Sequence, residues 1–142
     1  MAQGFLDRAR NKLDEAKKHL EIWHHAESIS ASQECIELSI KATFLLLQGD
    51  YPKTHEFTEE QFEQLLVRVP EQLEYHDFPR LYLLHRFWSG FYTVAKYGYE
   101  KLGVPAKDLF KKDEADLAIN HADKWYYAAT ALRDWRDRSD RQ

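Results

Sequence analysis

Along the chain, apolar residues recur at spacings of three and four. Phe5, Leu6, Ala9, Leu13, Ala16, Leu20 and Trp23 form the first such line, with Arg, Lys and Glu between them. This spacing predicts an amphipathic surface helix of about six turns. Residues 29–48 read differently. Ile29, Ala31, Cys35, Ile36, Leu38, Ile40, Ala42, Phe44 and the leucines at 45–47 cover most sides, while Glu34, Glu37, Lys41 and Gln48 fall on a narrow strip. A helix patterned this way belongs at the centre of a bundle, with only its strip facing water or a polar site.

Breakers separate the later segments. Gly49 and Pro52, Pro70 and Pro79, and Gly103 and Pro105 mark three gaps. Thr58 precedes EEQFEQLL as an N-cap, and Gln61 completes a capping box, so a third helix is predicted to about Val69. Pro79 suits the first turn of a fourth helix, read as continuous to about Leu102. Asp113 is read as the cap of a fifth helix running to about Asp134. No segment alternates strictly between apolar and polar, and no Asn-Gly or Asp-Gly hairpin turn occurs. The expectation is all-α: an up-and-down bundle of about five helices in one domain over 1–142, with its core at about 5–135 and a frayed tail at 136–142.

Composition narrows the class. A chain of 142 residues can bury a real core without a metal or disulfide staple. Its single cysteine excludes a disulfide scaffold and a cysteine zinc finger, and five Gly with four Pro argue against a turn-rich β-sandwich. No apolar run approaches the ~20 residues of a membrane span. MAQGFLDRAR lacks the apolar stretch of a secretory signal, so a cytoplasmic protein without a membrane partner is expected. The net charge of −4 is unevenly spread: residues 49–79 carry −6 and residues 80–103 carry +3. Duplex DNA, which draws on a broad excess of Lys and Arg, is not expected as a partner.

Candidate chemistry is sparse. His24 and His25 point to different helix faces, Glu21-His24-His25 has no second copy, and no H-E-x-x-H occurs, so no metal is expected. Neither Gly-rich phosphate loop is present; no tightly held cofactor is expected, while a bound nucleotide stays open. Cys35, on an apolar face, reads as an inert buried thiol. Glu37 and Lys41 form an i, i+4 ion pair on the strip of the central helix. On the fourth segment His85, Ser89, Tyr92, Lys96 and Tyr99 make one polar and aromatic stripe, suited to a phosphate and a base or, equally, to a dimer rim.

The order ASQECIELSIKA at 31–42, Pro52-Lys-Thr-His55, YTVAKYG at 92–98 and DEADLAINHAD at 113–123 resembles the HEPN domain over nearly the whole chain. The resemblance implies a helical up-and-down bundle and a homodimer. It implies nucleotide or RNA binding, or partnership with a minimal nucleotidyltransferase in a toxin–antitoxin pair. On that reading Lys41 and Lys96 supply charge, Tyr97 stacks and His55 donates a hydrogen bond. A subset of the family are metal-independent ribonucleases carrying R-x4-6-H, which Arg80-LYLL-His85 matches. There His85 would act as acid or base and Arg80 as electrostatic stabiliser. Five residues along a helix turn about 140°, so the pair shares a face only where the helix starts irregularly. In the alternative register Lys96 stands where the family has Arg, and no His follows it at the required spacing. A purely structural interaction module is the third reading.

Overall fold

The computed structural model describes residues 1–54 and 56–141. Helix α1, Ala2–Glu21, buries Leu6, Ala9, Leu13 and Ala16 at the predicted spacing. It ends in a tight turn in which the His24 amide donates to the His19 carbonyl and Trp23 takes a left-handed φ of 65°. Trp23 is therefore exposed, not the last apolar position of the α1 face. Helix α2, His25–Gln48, is buried on most sides and ends at Gly49 with φ 85°, the left-handed C-terminal residue for which glycine is suited. It packs against α1 and against the long last helix, as its pattern of apolar positions requires.

Helix α3, Glu59–Leu66, opens on the predicted capping box: the Thr58 hydroxyl accepts from the Gln61 amide, and the Gln61 side chain accepts from the Thr58 amide. After a 3-10 turn at Glu71–His76, helix α4 covers Phe78–Ser89, with Asp77 capping the Arg80 amide at 3.3 Å and Pro79 in the first turn. The continuous fourth helix expected to Leu102 is not found. The chain breaks at Gly90 and Phe91, resumes as α5, Tyr92–Tyr97, and closes through Gly98 and a 3-10 turn at Glu100–Leu102. Ser89 turns its hydroxyl onto the Arg86 carbonyl and Gly90 adds no helix-favouring side chain, the pairing that commonly kinks helices. One consequence is that His85, Ser89, Tyr92, Lys96 and Tyr99 do not form a single straight stripe.

Helix α6, Ala106–Leu109, leads into α7, Lys112–Asp140, whose first turn is held by the Glu114 carboxylate accepting from the Lys111 amide. The cap of α7 is Lys111, two residues before the expected Asp113, which lies inside the first turn, and the helix continues past Asp134 to Asp140. Arg136 there donates to the Leu46 carbonyl of α2. Among the described residues there is no strand, only one bridge between Tyr99 and Val104. The core centres on α2, with Phe44, Phe57, Phe62, Phe78 and Trp125 fully enclosed. No helix of the described residues is long and apolar enough to cross a membrane.

Candidate functional site

The polar strip of α2 faces the joint between α4 and α5, and a hollow of about 140 Å³ lies between them. That is about ten times the ~10–15 Å³ that one water requires. α2 contributes Gln33, Ile36 and Glu37; α4 contributes His85, Trp88 and Ser89; α5 contributes Tyr92 and Thr93; the loop before α3 adds Glu56. Its walls are thus two aromatic rings and its polar groups are a histidine, an amide, two carboxylates and hydroxyls. None of these lining groups is Lys or Arg.

Two buried polar atoms in this lining meet no hydrogen-bond partner among the described residues: His85 Nε2 and Gln33 Oε1. Buried polar groups are nearly always paired; His19 Nδ1 and Ser30 Oγ, on residues that line a second hollow between α1 and α5, are unpartnered in the same way among the described residues. His85 is only 4% exposed and packs against the rings of Phe57 and Tyr82. Trp88 is fixed from three sides. Its indole N–H donates to His121 Nδ1 at 2.8 Å, its carbonyl accepts from the Phe91 amide, and Gln33 Nε2 donates to the same carbonyl. His121 must keep Nδ1 unprotonated to hold that bond, and burial accordingly pushes its pKa down.

Burial, assisted by the charge of Arg86, lowers the His85 pKa from the usual 6.5 to about 4. The folded protein therefore resists a proton that the unfolded chain accepts. The stability that neutral His85 contributes is complete above pH ~6.5 and is lost as pH falls toward 4, roughly 3 kcal/mol in all. Urea midpoints at pH 7 and pH 4.5 test this. The wild type is expected to lose more on acidification than His85→Phe, and equal losses would remove His85 as the cause.

Of the residues singled out in the sequence, Glu37, His85, Ser89 and Tyr92 meet in this hollow. Lys41 stands at its edge, its Nζ 3.1 Å from Glu37 Oε1 and 5.9 Å from the centres of the Phe5 and Tyr51 rings. Lys96 donates to the Tyr92 hydroxyl at 2.8 Å and lies 3.9 Å from Glu34. Together with Tyr97 it borders a separate, more open hollow between α1 and α5, where Lys12 already pairs with Glu34 at 3.0 Å. Arg80 is exposed and lies beside Asp77, Lys124 and Tyr127 in a third place, apart from His85. Both side chains sit on one helix, and their directions diverge as the helical turn requires. His55 lies outside the described residues. Gln33, Glu56, Trp88 and Thr93 are the lining residues that sequence reasoning missed; Gln33 stands one turn before Glu37 on the same strip of α2, a spacing visible in the sequence. No group of three or more metal-ligating side chains occurs among the described residues.

Helices packed up and down around one buried helix, with a small polar hollow on its strip, define a class of all-α bundle. The family model described as the HEPN domain matches residues 2–126, and the chain belongs to the HEPN domain family. The comparison with curated proteins gave no match. Among solved structures, the crystal structure of TT1696 from Thermus thermophilus is similar to this chain at 22% identity and a TM-score of 0.71, over 92% of this chain and 97% of that one. At that identity the likeness is one of fold.

Proposed function

We propose that the chain is a noncatalytic HEPN module that binds a nucleotide or single-stranded RNA, with a base seated in the hollow beside His85. The observation that carries this reading is the pair of buried, unpartnered polar atoms, His85 Nε2 and Gln33 Oε1, in a hollow walled by Trp88 and Tyr92. Aromatic walls with a few convergent polar groups are what a planar ring requires. Phosphate recognition by Lys41 and Lys96 has less support, because each already faces a carboxylate. The ribonuclease reading draws less support too. Arg80 lies apart from His85, and a histidine with a pKa near 4 is a poor general acid at neutral pH.

A protein partner is favoured by a different observation. Leu83 and Phe87, four residues apart on one side of α4, are both exposed. Such a face suits a homodimer mate or a minimal nucleotidyltransferase of a toxin–antitoxin pair.

The test is a titration of the purified protein with mononucleotides and short single-stranded RNA, followed by NMR. Shifts at Trp88, Ser89 and Tyr92 with the RNA left intact are expected. RNA cleavage without metal that disappears in His85→Ala would establish the ribonuclease instead. No shift at millimolar ligand would overturn the binding reading.

A further inference from the structure

The outward side of α4 carries a pattern of its own. Arg80, Leu83 and Phe87 stand at i, i+3 and i+7, so they share one face, and all three are exposed. The Phe87 ring is edge-on to Trp88 and Phe91, at 5.0 and 5.5 Å between ring centres. Trp88 is itself fixed from three sides, which makes Phe87 a preorganised anchor. No acidic residue occurs from Phe78 to Tyr99. Charge is unevenly placed along the face. At its start Arg80 borders an open cleft together with Tyr75 and with Lys124 and Tyr127 of α7. Neither Arg80 nor Lys124 forms an ion pair among the described residues. The acid in that cleft, Asp77, caps α4 by accepting from the Arg80 amide. At the far end of the face Arg86 lies beside Glu56 and Glu59. The cations without a counter-charge are those at the start of α4.

We propose that this face docks an amphipathic helix of another protein, with apolar side chains against Leu83 and Phe87 and carboxylates toward Arg80 and Lys124. A helix laid on such a face is held through anchors at i, i+3 or i+4, and i+7. Arg80 and Phe87 are about 10 Å apart along α4, so the partner's carboxylates and its far apolar anchor are separated by about two turns. An exposed Arg and exposed Tyr rings near a fixed aromatic anchor have the composition of interface hot spots. The two cations then choose the partner by charge, since an acidic helix end is attracted and a basic one repelled. Nucleic acid fits this face less well, because Leu83 offers no ring on which a base can stack. The proposal rests on the partner-face reading above and assigns the chemistry of the partner.

The probes are two synthetic amphipathic helices with leucines at i and i+4. One carries glutamates two turns from the second leucine, and the other carries lysines there. Titration of each into the full chain at low salt, read by NMR shifts at Leu83, Phe87 and Tyr127, is expected to give about tenfold tighter binding of the acidic peptide. Added salt should narrow that ratio. Arg80→Glu combined with Lys124→Glu, both at exposed positions, is expected to reverse the preference. The comparison within the wild type needs no variant to fold. Equal binding of the two peptides would overturn the charge selection and leave the partner face standing. Absence of shifts at Leu83 and Phe87 with either peptide would overturn both. A dimer of the chain alone that Leu83→Asp disperses would seat a second copy on the face and overturn the proposal. Displacement of the acidic peptide by short single-stranded RNA would overturn it in favour of nucleic acid.

Discussion

Trp125→Ala is expected to lower the stability of the protein by about 3–5 kcal/mol. Trp125 is fully buried on α7, with its ring edge-on to Phe62 of α3 and Phe78 of α4, at 5.9 and 6.3 Å between ring centres. Its indole N–H donates to the Leu81 carbonyl at 2.8 Å. One side chain thus fastens the last helix to two elements that lie far back in the chain. Truncation opens a cavity enclosed by rigid rings, which relax little to fill it. Trp125→Phe keeps most of the ring and removes the N–H, and its loss should fall well short of that of alanine. Urea unfolding followed by far-ultraviolet circular dichroism measures both. A loss of about 1 kcal/mol or less for the alanine variant, the size of a single hydrogen bond, would show that the site collapses or hydrates instead.

Gly98→Ala should have the second large effect, with a different distribution. Gly98 has φ 72° and ψ −161°, a region open in practice only to glycine. An added Cβ would lie 2.3 Å from the Val104 carbonyl oxygen and 2.6 Å from the Ala106 nitrogen. Backbone strain of about 1–3 kcal/mol is joined by the displacement of main chain that has no soft neighbour to yield. The Tyr99–Val104 bridge, with bonds of 2.9 and 3.2 Å, sits against that carbonyl. Amide exchange at Tyr99 and Val104 is therefore expected to rise steeply, while amides in the middle of α2 change less. Unchanged protection at Val104 would refute the assignment. Since Tyr92 and Thr93 of α5 line the hollow, ligand binding should weaken alongside.

Much of the bundle is legible in the chain because its signals are local. The near-continuous apolar surface of α2, the Thr58–Gln61 box, Pro79 in the first turn of α4 and Gly49 at the end of α2 each act within a turn or two. The division of the fourth segment is harder to read. Phe87, Phe91 and Val94 continue the helical spacing straight across it, and Ser89-Gly90 is only a weak local interruption. What stabilises the break lies 55 positions away, where Gln33 supplies a donor to the Trp88 carbonyl at the helix end. The site divides the same way. Glu37 and His85 converge because each lies on the inner edge of its helix. Lysines can be recognised as charges in a sequence, but the carboxylates that pair with them cannot. Lys41 and Lys96 thus draw more weight in the sequence than their surroundings support, and the uncharged Gln33 draws none.

The two ends of the Gln33 amide have a joint consequence. One end closes the last turn of α4, and the other is buried without a donor among the described residues, on a side chain that lines the hollow. A ligand in the hollow would pack on the side chain that keeps the α4–α5 corner in place, and a firmer corner would hold the hollow ready for the ligand. Such mutual dependence is obligatory in free energy: whatever occupancy adds to the order of the corner, order of the corner adds to affinity. Substitutions at Ser89 or Gly90 that never reach the ligand would then alter how tightly it is held, through the geometry of a helix end alone.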